Sequence, residues 1–115
     1  MNTPIEINNA PAIVERFGFW PEFGDDEISE IHLDRAETSL SFTVDAIQYA
    51  EKNCQILFKC KSIKRLSIDG FNHQNVISKI TFRQEDDGYL KILVASSFGV
   101  QIQCSCKTAS VSILD

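Results

Sequence analysis

The sequence predicts an α+β fold, with one short N-terminal helix and a large twisted, mostly antiparallel sheet of about six to seven strands. Apolar and polar residues alternate with a period of two over most of the chain after residue 27. Short turns join these stretches, which favours antiparallel neighbours because a parallel crossover needs about a dozen residues. A single helical pattern precedes them. The 115 residues contain no linker or repeat, so we expect 1–115 to form a single domain.

The helical pattern begins at Asn9 or Ala10 and runs to Phe17. Pro11 lies near its first position, where proline is well tolerated, and Gly18 is a suitable stop. We expect one face of the helix to pack on the sheet through Ile13, Val14 and Phe17.

The predicted strands place one apolar set inwards and leave the alternate residues polar. Turns are predicted at 36–38, at 85–88, where Asp-Gly supplies a positive φ, and at 98–99. Residues 48–53 are compatible with a helical turn or a polar loop. The inward set, strand by strand, is Ile31, Leu33; Leu40, Phe42, Val44, Ala46; Cys54, Ile56, Phe58, Cys60; Val76, Ile80, Phe82; Leu90, Ile92, Val94; and Val100, Ile102, Cys104, Cys106. Two further short strands are predicted, one with Leu66 and Ile68 and one with Val111 and Ile113.

An aromatic and acidic corner at residues 19–28 separates the helix from the first of these strands. Pro21 favours an extended backbone at Trp20, and Gly24 is expected to allow a tight path towards the acids. Two interpretations stay open. In one, Trp20 and Phe23 anchor the corner in the core, and the acids are solvated or cap backbone groups. In the other, part of the corner is an exposed contact patch.

Charge is distributed unevenly: residues 1–51 have a balance of −9, residues 52–79 of +5, and the whole chain of −5. An acidic first half argues against nucleic acid as a partner and suits a basic protein. Lysines and arginines on the later strands form a cationic face without the aromatics that RNA binders use. No apolar run approaches the roughly 20 residues of a membrane span, and no signal peptide is evident. We therefore expect a cytoplasmic protein that binds neither nucleic acid nor membrane.

Enzyme and metal signatures are missing from the sequence. It has no phosphate-binding glycine loop, nucleophile elbow or Cys-x-x-Cys motif. Glu30, His32 and Asp34 alternate on one strand, but such rows are common and predict no metal. The four cysteines are expected to be reduced core residues. We predict no catalytic residues, no metal and no cofactor.

Three segments resemble the immunity protein 50 family. Residues 19–28 resemble its aromatic-Trp-Pro-x-Phe motif followed by Asp-x-Glu-Ile, although Gly24 stands where the family pattern has histidine. Residues 70–77 look like its Phe-Asn-x-Gln-Asn-Val-Ile segment. Phe98-Gly99 followed by Cys104 and Cys106 is similar to its closing strand pair.

The resemblance implies a bacterial cytosolic immunity protein of a polymorphic or contact-dependent toxin system, which binds a cognate toxin domain and occludes its active site without catalysis. Two alternatives remain: a non-toxin interaction module, for example a homodimer through an edge strand, and a small carboxylate-based hydrolase. The candidate toxin contacts are Glu22, Asp25, Asp26, Glu27, Glu30, Asp34, Asn72 and His73. The structural residues of the motifs are Trp20, Pro21, Phe23, Phe71 and Asn75.

Overall fold

A computed structural model describes residues 7–46 and 54–114 of the chain. Its elements are β1 (Ile7–Asn8), α1 (Ala10–Phe17), β2 (Glu27–Asp34), β3 (Ser39–Ala46), β4 (Cys54–Asp69), β5 (Val76–Gln84), β6 (Leu90–Phe98) and β7 (Gln101–Leu114). The ambiguous segment 48–53 and Ile47 lie outside the described residues. Among the described residues, no helix is long and apolar enough to cross a membrane.

The strands form one sheet in the order β1-β7-β4-β3-β2-β5-β6, and β6 pairs with β7 as well. This second pairing closes six of the seven strands into a ring. All pairings are antiparallel except the short parallel contact of β1 with β7. Within the ring, β2 and β5 pair over the shortest stretch, with Glu27 opposite Val76. The predicted α+β class and mostly antiparallel sheet are confirmed.

The helix follows the prediction from Ala10 to Phe17, with Gly18 ending it in a left-handed conformation. Its buried residues include Ile13 and Phe17. The Asn9 side chain donates through Nδ2 to the carbonyl oxygen of Val111 at 3.0 Å, which ties the helix start to β7.

The core is centred on the ring of Phe58, which packs against aromatic rings from three other parts of the chain. Phe42 of β3 stacks on it at 5.0 Å, Phe82 of β5 at 6.2 Å, and Phe23 of the corner meets it edge-on at 5.6 Å. Trp20 in turn packs edge-on against Phe23 at 5.7 Å. Such offset and edge-on pairs add stability beyond burial alone, and they fix the corner to the strands.

Two predicted breaks do not occur. β4 and β7 are each continuous where the sequence indicated two pieces, and they pair with each other along both pieces. The register shifts between Ile63 and Arg65, beside Ser62 with a φ of 56°. Such a shift changes the face that a strand presents, so the simple alternation on which the boundaries were predicted fails there.

Two inward assignments are wrong for related reasons. Leu33 is 52% exposed because it lies at the end of β2, where it borders a shallow surface groove with Ile63 and Leu66. Ile77, rather than Val76, is fully buried at the start of β5. Register shifts on both sides of Ile77 move it to the inner face.

Candidate functional site at the acidic and aromatic end

The corner between α1 and β2 is anchored as the first interpretation predicted. Trp20, Pro21 and Phe23 are buried. Gly24, however, has no positive φ. The left-handed residues are its neighbours Phe23, with a φ of 62°, and Asp25, with a φ of 69°. This conformation is rare for a bulky residue, and here it accompanies a phenylalanine ring that is buried beside an aspartate that is exposed.

Backbone hydrogen bonds attach the corner to the beginning of β5. Asp25 N–H donates to the Ile77 carbonyl oxygen at 2.8 Å, and Ile77 N–H donates to the Asp26 carbonyl oxygen at 2.8 Å. Ile28 N–H donates to the Asn75 carbonyl oxygen at 2.9 Å. The acidic corner and the loop at 70–75 therefore meet at the same end of the sheet, although they are far apart in sequence.

The acids of the corner differ in their exposure. Glu22 and Asp25 are exposed and Glu27 is partly exposed, whereas Asp26 is 0% exposed. A side chain inside the protein cannot contact a partner. We therefore leave Asp26 out of the contact set that we propose below and assign it to the interior of the corner.

Asn75 connects the loop at 70–75 with the turn that follows β6. Its Oδ1 accepts hydrogen bonds from Asn72 N–H and from Val100 N–H, both at 3.0 Å, and its Nδ2 donates to the Asn72 carbonyl oxygen at 2.9 Å. The side chain is 2% exposed. A Cβ on Gly99 would lie 2.5 Å from Asn75 Oδ1, so this close approach requires glycine. The Asn75 side chain therefore joins the loop to the turn after β6.

Exposed aromatic rings lie in the loop that Asn75 holds and at the end of β6. Phe71 is 54% and Phe98 is 47% exposed, and the imidazole of His73 meets the Phe98 ring edge-on at 6.1 Å. His73 is held by Asn72, whose Oδ1 accepts from the His73 backbone N–H at 2.8 Å. Phe71 was expected to be a structural residue, but its ring is open to solvent and contributes surface rather than core.

A row of residues on one face extends this surface across the sheet. Asp45 pairs with Glu27, Glu27 with Val76, and Val76 with Phe98, and directly paired residues share a face. Asp45 accepts hydrogen bonds from Ser29 Oγ at 3.1 Å and from Gln55 Nε2 at 2.9 Å. Asp45 and Phe98 were not predicted as surface candidates because only the strand order brings them beside the corner.

We refer to Glu22, Asp25, Glu27, Asp45, Phe71, Asn72, His73 and Phe98 as the acidic-aromatic end. Three predicted candidates lie outside it: Asp34, Glu30 and the buried Asp26. Asp34 is at the opposite end of β2, where its Oδ1 accepts from Ala36 N–H at 2.9 Å and Glu37 N–H at 3.2 Å and shapes the turn. Glu30 lies between the two ends of β2 and is exposed, opposite Thr43 of β3.

A second cluster lies inside the ring. The sulfur atoms of Cys60, Cys104 and Cys106 are all within 4.8 Å of one another, and the three residues are buried. Hydrogen bonds to the other two thiols, together with burial, raise the pKa of Cys60. Hydrogen bonding to Cys106 raises the pKa of Cys104, whereas hydrogen bonds from Cys104 and Cys60 lower the pKa of Cys106. All four cysteines of the chain are thiols without a disulfide.

The fold is similar to that of an uncharacterized protein from Neisseria gonorrhoeae, known from a crystal structure. The TM-score is 0.59 at 17% sequence identity, and the match covers 80% of this chain and 94% of that one. At this identity the likeness shows the fold alone. A comparison with curated proteins gave no match. The family model of immunity protein 50 matches residues 9–114, nearly the whole sequence, and the chain therefore belongs to the immunity protein 50 family.

Proposed function

We propose that this protein binds a cognate bacterial toxin domain and neutralises it by covering its active site with the acidic-aromatic end. Membership of the immunity protein 50 family supports a protein toxin as the partner. The observation that carries the choice of surface is the convergence of exposed acids and exposed aromatic rings where the corner, the loop at 70–75 and the end of β6 meet.

The aromatic part of this end has the character of an interface centre. Phe71 and Phe98 are among the most exposed large apolar side chains of the described residues, and exposed apolar surface is unfavourable in water unless a partner covers it. Aromatic side chains are enriched among the few residues that dominate binding energy. Asn75 holds their loops together, so little ordering would be required when a partner binds.

The acidic part suits a basic partner. Glu27 and Asp45 lie directly opposite each other on β2 and β3, an arrangement that destabilises a sheet because like charges repel. A cationic cleft would relieve this repulsion and would be steered towards the acids. Many toxin active sites that act on nucleic acid are basic for the same electrostatic reason, and an acidic surface that fills such a cleft excludes the substrate.

The protein acts in the cytoplasm of the toxin-producing bacterium, within a polymorphic or contact-dependent toxin system. It acts without catalysing a reaction and without binding nucleic acid or membrane.

The test is co-expression with the C-terminal domain of the protein encoded immediately upstream in the same genome. We expect that domain to stop growth when it is expressed alone. Co-expression of this chain should restore growth, and the two proteins should purify as a stable one-to-one complex. A domain that stops growth equally with and without the chain, or that forms no complex with it, would contradict the proposal.

A further inference from the structure

We infer that Cys60, Cys104 and Cys106 form a binding site for one copper(I) ion inside the strand ring. The inference is independent of toxin binding and rests on the positions of three sulfur atoms. β4 supplies Cys60, and β7 supplies Cys104 and Cys106 from successive inward positions. Among the described residues, this trio is the one His, Cys, Asp or Glu group whose ligand atoms are close enough for an ion.

The sulfur spacing suits three-coordinate binding. A metal–sulfur distance of about 2.3 Å places the three sulfurs of a planar trigonal site about 4.0 Å apart. The three sulfurs already lie within 4.8 Å of one another, so shifts of less than about 1 Å at each side chain complete the geometry. Each sulfur that coordinates the ion releases its thiol proton to solvent, and no electron is transferred.

The donor set selects a soft ion with a low coordination number. Thiolate ligands favour copper(I), zinc and iron–sulfur clusters over magnesium, calcium or manganese. Structural zinc takes four protein ligands in a tetrahedron, whereas this cluster supplies three sulfur ligands. Copper(I) is satisfied by three thiolates alone, which leaves no coordination position open.

The surroundings of the cluster are apolar, and they exclude competing oxygen ligands. Cys104 pairs with Leu66 of β4 and Ile92 of β6, and Cys106 pairs with Ile63 of β4 and Leu90 of β6. An apolar shell limits the access of solvent to a bound ion. Ile63 also borders the register shift in β4.

The test is an anaerobic titration of the reduced full-length chain with copper(I), in competition with the chelator bicinchoninate and without added thiols. We expect the wild-type chain to retain one copper per chain and to show a thiolate-to-copper charge-transfer band. Loss of even an outer-shell group around a metal commonly weakens binding tenfold or more, so loss of a ligand in Cys104→Ala or Cys106→Ala should weaken it by at least about tenfold. Cys54→Ala is the matched control, because Cys54 lies on β4 outside the cluster, and it should bind as the wild type does.

X-ray absorption of the copper-loaded wild-type chain makes the result independent of whether the variants fold. A first shell of three sulfurs supports the site. A shell that contains nitrogen or oxygen, or fewer than three sulfurs, overturns it. Transfer of all copper to the chelator overturns it as well, as does equal loss of binding in the Cys54→Ala control.

Discussion

Replacement of Glu22 and Glu27 by lysine should weaken binding of the toxin domain by about a hundredfold, which corresponds to about 2.7 kcal/mol. Both side chains lie at the acidic-aromatic end, and reversal of their charge turns attraction for a basic cleft into repulsion. These positions are preferred over Asp25 and Asp26. Asp25 has a left-handed backbone that disfavours lysine, and Asp26 is buried. The dissociation constant and association rate should be measured at low and high salt, and the salt dependence should fall in the variant.

The control is a chain with lysine at Glu15 on α1 and at Asp86 in the turn after β5. Each double variant raises the net charge from −5 to −1, so they differ in position and not in total charge. The control should bind within about threefold of the wild type. Equal losses in the two variants would mean that overall charge, rather than the acidic-aromatic end, governs the association.

Replacement of Asn75 by alanine should lower the free energy of unfolding by about 2–4 kcal/mol and the melting temperature by about 10 °C. The substitution removes the acceptor of two backbone N–H groups, those of Asn72 and Val100, and one of them is buried. An unpaired buried donor costs about 1–3 kcal/mol because it has lost its water without gaining a partner. Chemical unfolding followed by circular dichroism measures the change directly.

Gln74→Ala is the matched control for Asn75→Ala, because Gln74 is the preceding residue, also carries an amide and is exposed. We expect it to change the unfolding free energy by less than about 0.5 kcal/mol. If Asn75→Ala were as mild as this control, Asn75 would not be the residue that holds the loop at 70–75 to the turn after β6. The proposed preorganisation of Phe71, His73 and Phe98 would then lose its basis.

Most helices, strands and turns could be predicted because each depends mainly on residues that are neighbours in sequence. Proline near the helix start, Gly18 after its end and the alternation around Phe42 and Phe58 each reflect a local requirement of backbone or burial. The Asp-Gly turn before Tyr89 is of the same kind. Trp20 and Phe23 were also predicted to be buried, since their size makes burial at a chain reversal favourable.

The features that could not be predicted from the sequence depend on pairing between strands that are far apart in the chain. The contact of β6 with β7 closes the ring, and nothing in the alternation of either strand encodes this partner. Cys60 and the pair Cys104 and Cys106 were each predicted to face inwards, but only the bend in β4 and its register with β7 bring their sulfurs together. Asp45 and Phe98 joined the candidate surface through cross-strand pairing with Glu27 and Val76.

Irregular backbone accounts for the remaining errors. A period of two assigns faces correctly only while the register is constant, and the shifts around Ile77 and after Ser62 interrupt it. Asp26 is a related case. Its charge suggested a surface position, yet the left-handed conformations at Phe23 and Asp25 turn the chain so that Asp26 lies inside.

The measurement that tests the proposed contact surface most directly is hydrogen–deuterium exchange of the chain with and without the toxin domain. We expect slower exchange on binding in residues 24–28, 70–76 and 97–100, which contain six of the eight residues of the acidic-aromatic end. The turns at 35–38 and 85–88 should exchange at the same rate in both states, because they lie at the other ends of β2 and β5. Slower exchange confined to those two turns, with residues 70–76 unchanged, would contradict the proposal and place the toxin at the opposite end of β2 and β5.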